Sequence, residues 1–144
     1  MPQPLMLDAG VLGGLAHPRP RAALTQWFDR TLLAGAEIIL PEIADYEVRR
    51  SLILTKLTRS VERLDQLKVV LIYQPIDTDV MLKAAELWAM VRQQGHPTAD
   101  PKALDGDVIL AAQALQSNAI VITENIGHLS LFVPVRRWQD DSDT

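Results

Sequence analysis

Apolar residues along this 144-residue chain fall into short continuous runs, separated by longer stretches in which they recur every third or fourth position. A short apolar run fits a buried strand, and the three-and-four spacing fits a helix with one buried face. On that basis Leu5-Met6-Leu7, Glu37 to Leu40, Val69 to Tyr73 and Ala119 to Ile122 read as strands, the third as a parallel strand covered on both faces. Leu131 to Val135 reads as a last strand, with Pro134 marking a sheet edge. After Asp8, the glycines at 10, 13 and 14 fit a tight turn into a short helix. Leu24, Trp27, Phe28 and Leu32 keep helical spacing up to a C-cap at Gly35, and Pro41 suits the first turn of the next helix. A further helical run starts near Ser60. Asp77 or Thr78 caps a helix whose core face is Val80, Met81, Ala84, Leu87, Trp88 and Val91, ending at Gly95. Gln94 to Lys102, with Pro97 and Pro101, is a polar loop suited to the rim of a site.

Strands alternating with helices at these lengths predict a three-layer α/β/α sandwich with a largely parallel central sheet of four to five strands. Residues 1–138 form one domain and 139–144 an acidic, frayed C-terminal tail. In such sheets ligands bind beyond the carboxyl ends of the strands, where strand order reverses.

Composition narrows the chemistry. A hydrophobic fraction of 48% with 22% charged residues is that of a globular chain able to bury a core. The absence of cysteine excludes disulfides and thiolate metal sites and fits a reducing cytoplasm. No apolar run approaches the roughly 20 residues that span a bilayer, so no membrane role is expected. A formal net charge of −4 disfavours nucleic acid over most of the surface. Binding of RNA or DNA therefore needs a local basic patch or a bound metal.

Acidic residues supply the candidate chemistry. In Leu104 to Leu115 two carboxylates open an alanine-rich apolar run, with Asp105 placed to cap a helix and Asp107 in its first turn. Asp8 closes the first strand, and Thr123-Glu124-Asn125 ends the fourth. On the helix after Pro41, the residues Glu42, Asp45, Arg49 and Lys56 define a solvent face. Glu47 lies about 200° away, on the apolar stripe of Ile43, Ala44 and Leu54. A carboxylate there is costly unless paired, for example with Arg50, or bound to metal. The fold class carries Asp8, Glu47, Asp107 and the segment from Thr123 to Asn125 to one end of the sheet. Like charges about 4 Å apart repel by roughly 4 kcal/mol at an effective dielectric near 20, so such a cluster calls for protonation or a cation. All-oxygen ligands suit Mg²⁺ or Mn²⁺, which point to phosphoryl chemistry and hydrolysis of a phosphodiester. A phosphoacceptor receiver domain shares this fold class but needs an aspartate where Tyr73-Gln74 stand.

In their order and spacing these motifs resemble the PIN domain, and within it the VapC-like ribonuclease toxins of toxin–antitoxin pairs. Leu7-Asp8-Ala9-Gly10-Val11-Leu12 is similar to the opening motif, and Pro41 to Leu52 to the segment carrying the second acid. Asp105-Gly106-Asp107 with Ile109-Leu110-Ala111-Ala112 is similar to the third motif, and Val121 to His128 to the fourth. The resemblance implies a metal-dependent endoribonuclease with Asp8, Glu47 and Asp107 as catalytic metal ligands and Asp105 as a further acid. It implies Thr123, Asn125 and His128 at the substrate, an RNA. A basic run including Arg49 and Arg50 would meet RNA or a cognate antitoxin, and its alternative is a solvated helix face. Asn125 stands where the family often has aspartate, and Ala9-Gly10 where a hydroxyl or amide residue is common. A degenerate module that binds RNA or a protein partner without cleavage is the competing expectation. Apolar helix surface in so small a domain adds the expectation of a homodimer.

Overall fold

The computed structural model describes residues 2–95 and 101–140, the side chains of 101–103 excepted. Among these, β1 (Leu5–Leu7), β2 (Ile38–Pro41), β3 (Ile72–Gln74), β4 (Ile120–Thr123) and β5 (Val135–Arg137) form one sheet in the order β3-β2-β1-β4-β5. Every pairing is parallel, with Leu7 level with Ile122 and Thr123 level with Arg137. The crossovers are α1 (Ala9–Ala16), α2 (Ala22–Leu33), α3 (Glu42–Leu54), α4 (Thr58–Val70), α5 (Thr78–Gln93) and α6 (Pro101–Ser117). Chain order runs outward from β1 to β3 and then returns to the other side of β1, so the switch point lies between β1 and β4.

Strand alternation divides the core in two. Leu5, Leu7, Ile38, Leu40 and Ile122 face α1 to α4 around Trp27 and Leu64, while Met6, Ile39 and Val121 face α5 and α6. Helix α3 belongs to both layers: Ala44, Val48 and Leu52 pack into the first core and Ile43 into the second. That position lets one face of α3 look toward α6. Among the described residues no helix is long and apolar enough to cross a membrane.

Several expectations are corrected. The glycines at 10, 13 and 14 lie inside α1, which starts directly after Asp8; a Cβ at Gly14 would stand 2.8 Å from Leu24 Cδ2 and force that buried side chain to shift. The run from Val69 to Tyr73 is split between the end of α4 and β3, and Val69, Val70 and Ile72 are exposed. β3 is a sheet edge, so it has no second neighbour to cover it. The last strand is Val135–Arg137 instead of Leu131 to Val135, with Leu129–Leu131 a 3₁₀ turn, while its place at a sheet edge is as Pro134 suggested. Met81 and Trp88 are half-exposed at the surface of α5. The supposed solvent face of α3 is covered by α4: Asp45 is buried and held by Arg49 Nε and Nη2 at 3.1 and 2.9 Å, and Arg49 also reaches Asp65 at 2.7 Å. Helix α6 starts at Pro101, so Asp105 does not cap it. Of the expected loop from Gln94 to Lys102, residues 96–100 lie outside the described residues, as do 141–144 of the expected tail. Gln139 and Asp140 close a 3₁₀ turn with the buried Trp138.

Candidate metal centre

Asp8 sits where β1 turns into α1, and both of its carboxylate oxygens are engaged. Oδ1 accepts the Val11 N–H at 2.8 Å as the N-cap of α1, and Oδ2 accepts the Thr123 hydroxyl at 2.5 Å. The bond from Thr123 crosses the switch point, because β1 and β4 are neighbours in the sheet. Thr123 is buried, and its oxygen also accepts the Asn125 N–H at 3.2 Å. It orients Asp8 and organises the turn to Asn125, a role different from the substrate contact expected of it. Burial pushes the Asp8 carboxyl above its ordinary value, and the bonds from Thr123, Val11 and Gly10 partly offset that rise.

Glu47 reaches the same space from α3. Its carboxylate rests on the Cα of Gly106 in α6, 3.1 and 3.3 Å from where a Cβ would stand. Burial raises its proton affinity; Arg50 opposes the shift, and the charges of Asp107 and Asp8 add to it. Arg50 is exposed, stacks over Tyr46 at 5.0 Å and comes no nearer to Glu47 than 3.9 Å. The expected pairing of Glu47 with Arg50 is thus loose and on the surface. Asp107, in the second turn of α6, is likewise raised by burial and by Asp8, and drawn back by His128. Asp8, Glu47, Asp107 and His128 therefore form one electrostatic group, brought together from β1, α3, α6 and the turn after β4.

The other expected site residues are placed differently. Asp105 is exposed and points into a groove of about 430 Å³ lined by Met81, Ala84, Ala85, Trp88, Val108 and Ile109, on the α5 side of α6. Two residues from Asp107 on a helix means about 200° of rotation, which accounts for the separation. Asn125 is exposed beside the group. Glu124 points away from it, to an ion pair with Arg21 and to the Trp138 Nε1 donor at 3.4 Å. Arg49 is engaged with Asp45 and Asp65, whose carboxylates hold its proton still more tightly.

Two residues where α3 and α6 meet carry no chemistry of their own and were missed in the sequence. Gly106 leaves room for the Glu47 carboxylate. A glycine inside a helix costs about 1 kcal/mol against alanine, and that oddity in Asp-Gly-Asp was the available signal. Gln113 interrupts the apolar run of α6 and is wholly buried, a polar residue that called for a partner.

Three hard-oxygen donors whose proton affinity burial raises, with a glycine clearing space for one of them, fit Mg²⁺ or Mn²⁺ by donor chemistry. Among the described residues no three acidic, histidine or cysteine side chains converge tightly enough to grip an ion as they stand.

Similar folds occur in solved structures. VapBC2 from Rickettsia felis, bound to a DNA fragment from its promoter, matches with TM-score 0.77 and 16% identity over 93% of this chain and 98% of that one. FitAcB from Neisseria gonorrhoeae gives TM-score 0.73 and 26% identity over 94% and 98%. VapBC-1 from nontypeable Haemophilus influenzae gives 0.70 and 19% over 94% and 98%. No curated protein matches the sequence. The PIN domain family model matches residues 5–130, which take in β1 with Asp8, Glu47 on α3, Asp107 on α6 and the turn after β4. By its sequence, its parallel sheet and the end of that sheet where its acids gather, this chain belongs to the PIN domain family.

Proposed function

We propose that this chain is a divalent-metal-dependent endoribonuclease, the toxin of a toxin–antitoxin pair acting in the cytoplasm. The observation that carries the reading is the gathering of Asp8, Glu47 and Asp107 at the switch point, each with its proton affinity raised by burial, and with the charge of Asp8 adding to the rise at both of the others. PIN domain proteins are generally nucleases. Asp8, Glu47 and Asp107 would hold Mg²⁺ or Mn²⁺, with side-chain rotation drawing them together on binding. The ion supplies Lewis-acid chemistry, lowering the pKa of water and polarising a phosphodiester. Asp105 falls outside the proposed ligand set because it faces the α5 groove. Thr123 keeps Asp8 in orientation, while Asn125 and His128 stand at the mouth to bind RNA phosphate. The exposed Arg50 adds a cation for the RNA backbone; Arg49 is structural.

The solved neighbours include a structure described as a toxin–antitoxin complex from Klebsiella pneumoniae, with TM-score 0.64 and 16% identity. An antitoxin partner is proposed here on that likeness. The exposed Ile53, Leu54, Val69 and Val70 on α3 and α4 offer it an apolar surface. The largely apolar groove between α5 and α6 is proposed as the homodimer face.

The test is cleavage of RNA by the purified chain with Mg²⁺ or Mn²⁺. Asp8→Asn and Asp107→Asn should each abolish cleavage, and activity indifferent to both would refute the assignment. Asn125, neutral where the family often has an acid, favours a second reading as a binding module that does not cut. Calorimetric titration with Mn²⁺ separates the two, since that module would bind the ion weakly or not at all.

A further inference from the structure

We propose that Gln113 is a positioning residue for the acidic group: its buried amide fixes the register of α6 against α3, and so where Glu47 stands relative to Asp107. Helix α3 begins behind Pro41, which has no side-chain acceptor to cap it. The first N–H groups of a helix lack partners within it. The Ile43 N–H finds one in Gln113 Oε1 at 3.2 Å, so α6 caps α3 from 70 residues away in sequence. Gln113 Nε2 in turn donates to the Gln74 carbonyl at 2.8 Å, and the Gln113 carbonyl accepts from Gln74 Nε2 at 2.9 Å. With Gln113 at 0% exposure, its amide is desolvated, and its oxygen and nitrogen each have a protein partner.

The two helices meet a second time along the same faces. Ile43 and Glu47 are one turn apart on α3, and Gly106 and Gln113 two turns apart on α6. Gln113 meets Ile43, and Gly106 meets Glu47. The second meeting is a van der Waals contact whose carboxylate is repelled by Asp107 and Asp8, so it cannot hold the register alone. The first is a directional hydrogen bond with no water to replace it. An apolar residue at 113 would free α3 to slide and would leave the Ile43 N–H unsatisfied.

The consequence for ion binding rests on the function proposed above; the register does not. The chain has no cysteine, so spin labels at Ser51→Cys on α3 and Leu115→Cys on α6 would be unique. Electron–electron resonance then reads the distance between the helices. Gln113→Met should shift or broaden that distribution and weaken Mn²⁺ binding about tenfold, as changes behind a ligand shell do. Gln113→Glu, measured in acid where its carboxyl is protonated, keeps an acceptor for the Ile43 N–H and a donor for the Gln74 carbonyl, and should restore the wild-type distribution. Gln74→Leu strips the network's other amide but leaves the bond to Ile43, and should leave the distribution unchanged. An unaltered distribution in Gln113→Met, or the same broadening in Gln74→Leu, would overturn the proposal. If Gln113→Met does not fold, Gln113→Asn, shorter by one methylene, carries the same comparison. A register change in a protein that binds no Mn²⁺ would support the role of Gln113 and overturn the metal reading instead.

Discussion

Gly106 sets a conflict between stability and site geometry. Alanine there would favour the helix by up to about 1 kcal/mol, yet its Cβ would stand 3.1 Å from a Glu47 carboxylate oxygen. Gly106→Ala should therefore melt at or above the wild-type temperature while Mn²⁺ affinity and RNA cleavage fall about tenfold. Calorimetry of unfolding and of binding on one preparation checks both halves. The two neighbouring arginines of α3 make a similar contrast. Arg49→Ala leaves the buried Asp45 carboxylate without its bidentate partner and should cost about 2 kcal/mol, a value reduced for the partial exposure of the pair. Arg50→Ala, on the surface, should stay within about 0.5 kcal/mol in urea unfolding. If Arg50 meets the RNA backbone, its loss should raise KM and lessen the dependence of KM on salt.

At the scale of elements, α4 and β3 show how an apolar run is divided. Leu64, Leu67 and Leu71 continue a helical stripe that packs on the first core, and Val69 and Val70 fall off that stripe into solvent. The helix consequently extends into what a strand pattern would claim. Val69→Lys should change stability by no more than about 0.5 kcal/mol, whereas Leu64→Ala should cost about 3 kcal/mol by opening a cavity. Equal losses in denaturant unfolding would contradict this assignment of faces. Asp77 shows the simpler case: it caps α5 through the Val80 N–H at 2.9 Å, as its position before the apolar stripe indicated.

For the whole molecule, the acidic group is a source of instability that a cation relieves. Asp8, Glu47 and Asp107 have carboxyl pKa values raised by folding, burial being the largest cause. Between the ordinary carboxylate range and those raised values the folded chain binds more protons than the unfolded one, so this contribution to stability is lost as pH climbs through that window. In EDTA, Asp107→Asn should accordingly melt about 2–4 °C above wild type at neutral pH, with the difference vanishing near pH 4. Added Mn²⁺ should raise the melting temperature of wild type and leave the variant unmoved. A variant less stable than wild type at pH 7 in EDTA would show that the three carboxylates do not burden one another.

The sequence by itself determined the alternation of strands and helices, the parallel sheet and the carriage of Asp8, Asp107 and the segment from Thr123 to one end of it. Those features follow from local periodicity and from the rule that crossovers bring strand ends to a common side. It also singled out Glu47, because a carboxylate off the polar face of a helix needs a reason. Tertiary structure alone decided which polar face was solvent and which was covered. Asp45 and Arg49 look surface-bound until α4 lies across them, and Asp105 looks like a cap until α6 is found to start a turn earlier, at Pro101. It decided too that Thr123 serves Asp8, and that Gln113 and Gly106 join α3 to α6. Such pairings link residues far apart in the chain, and their energies depend on distances between whole helices, which no window of neighbouring residues contains.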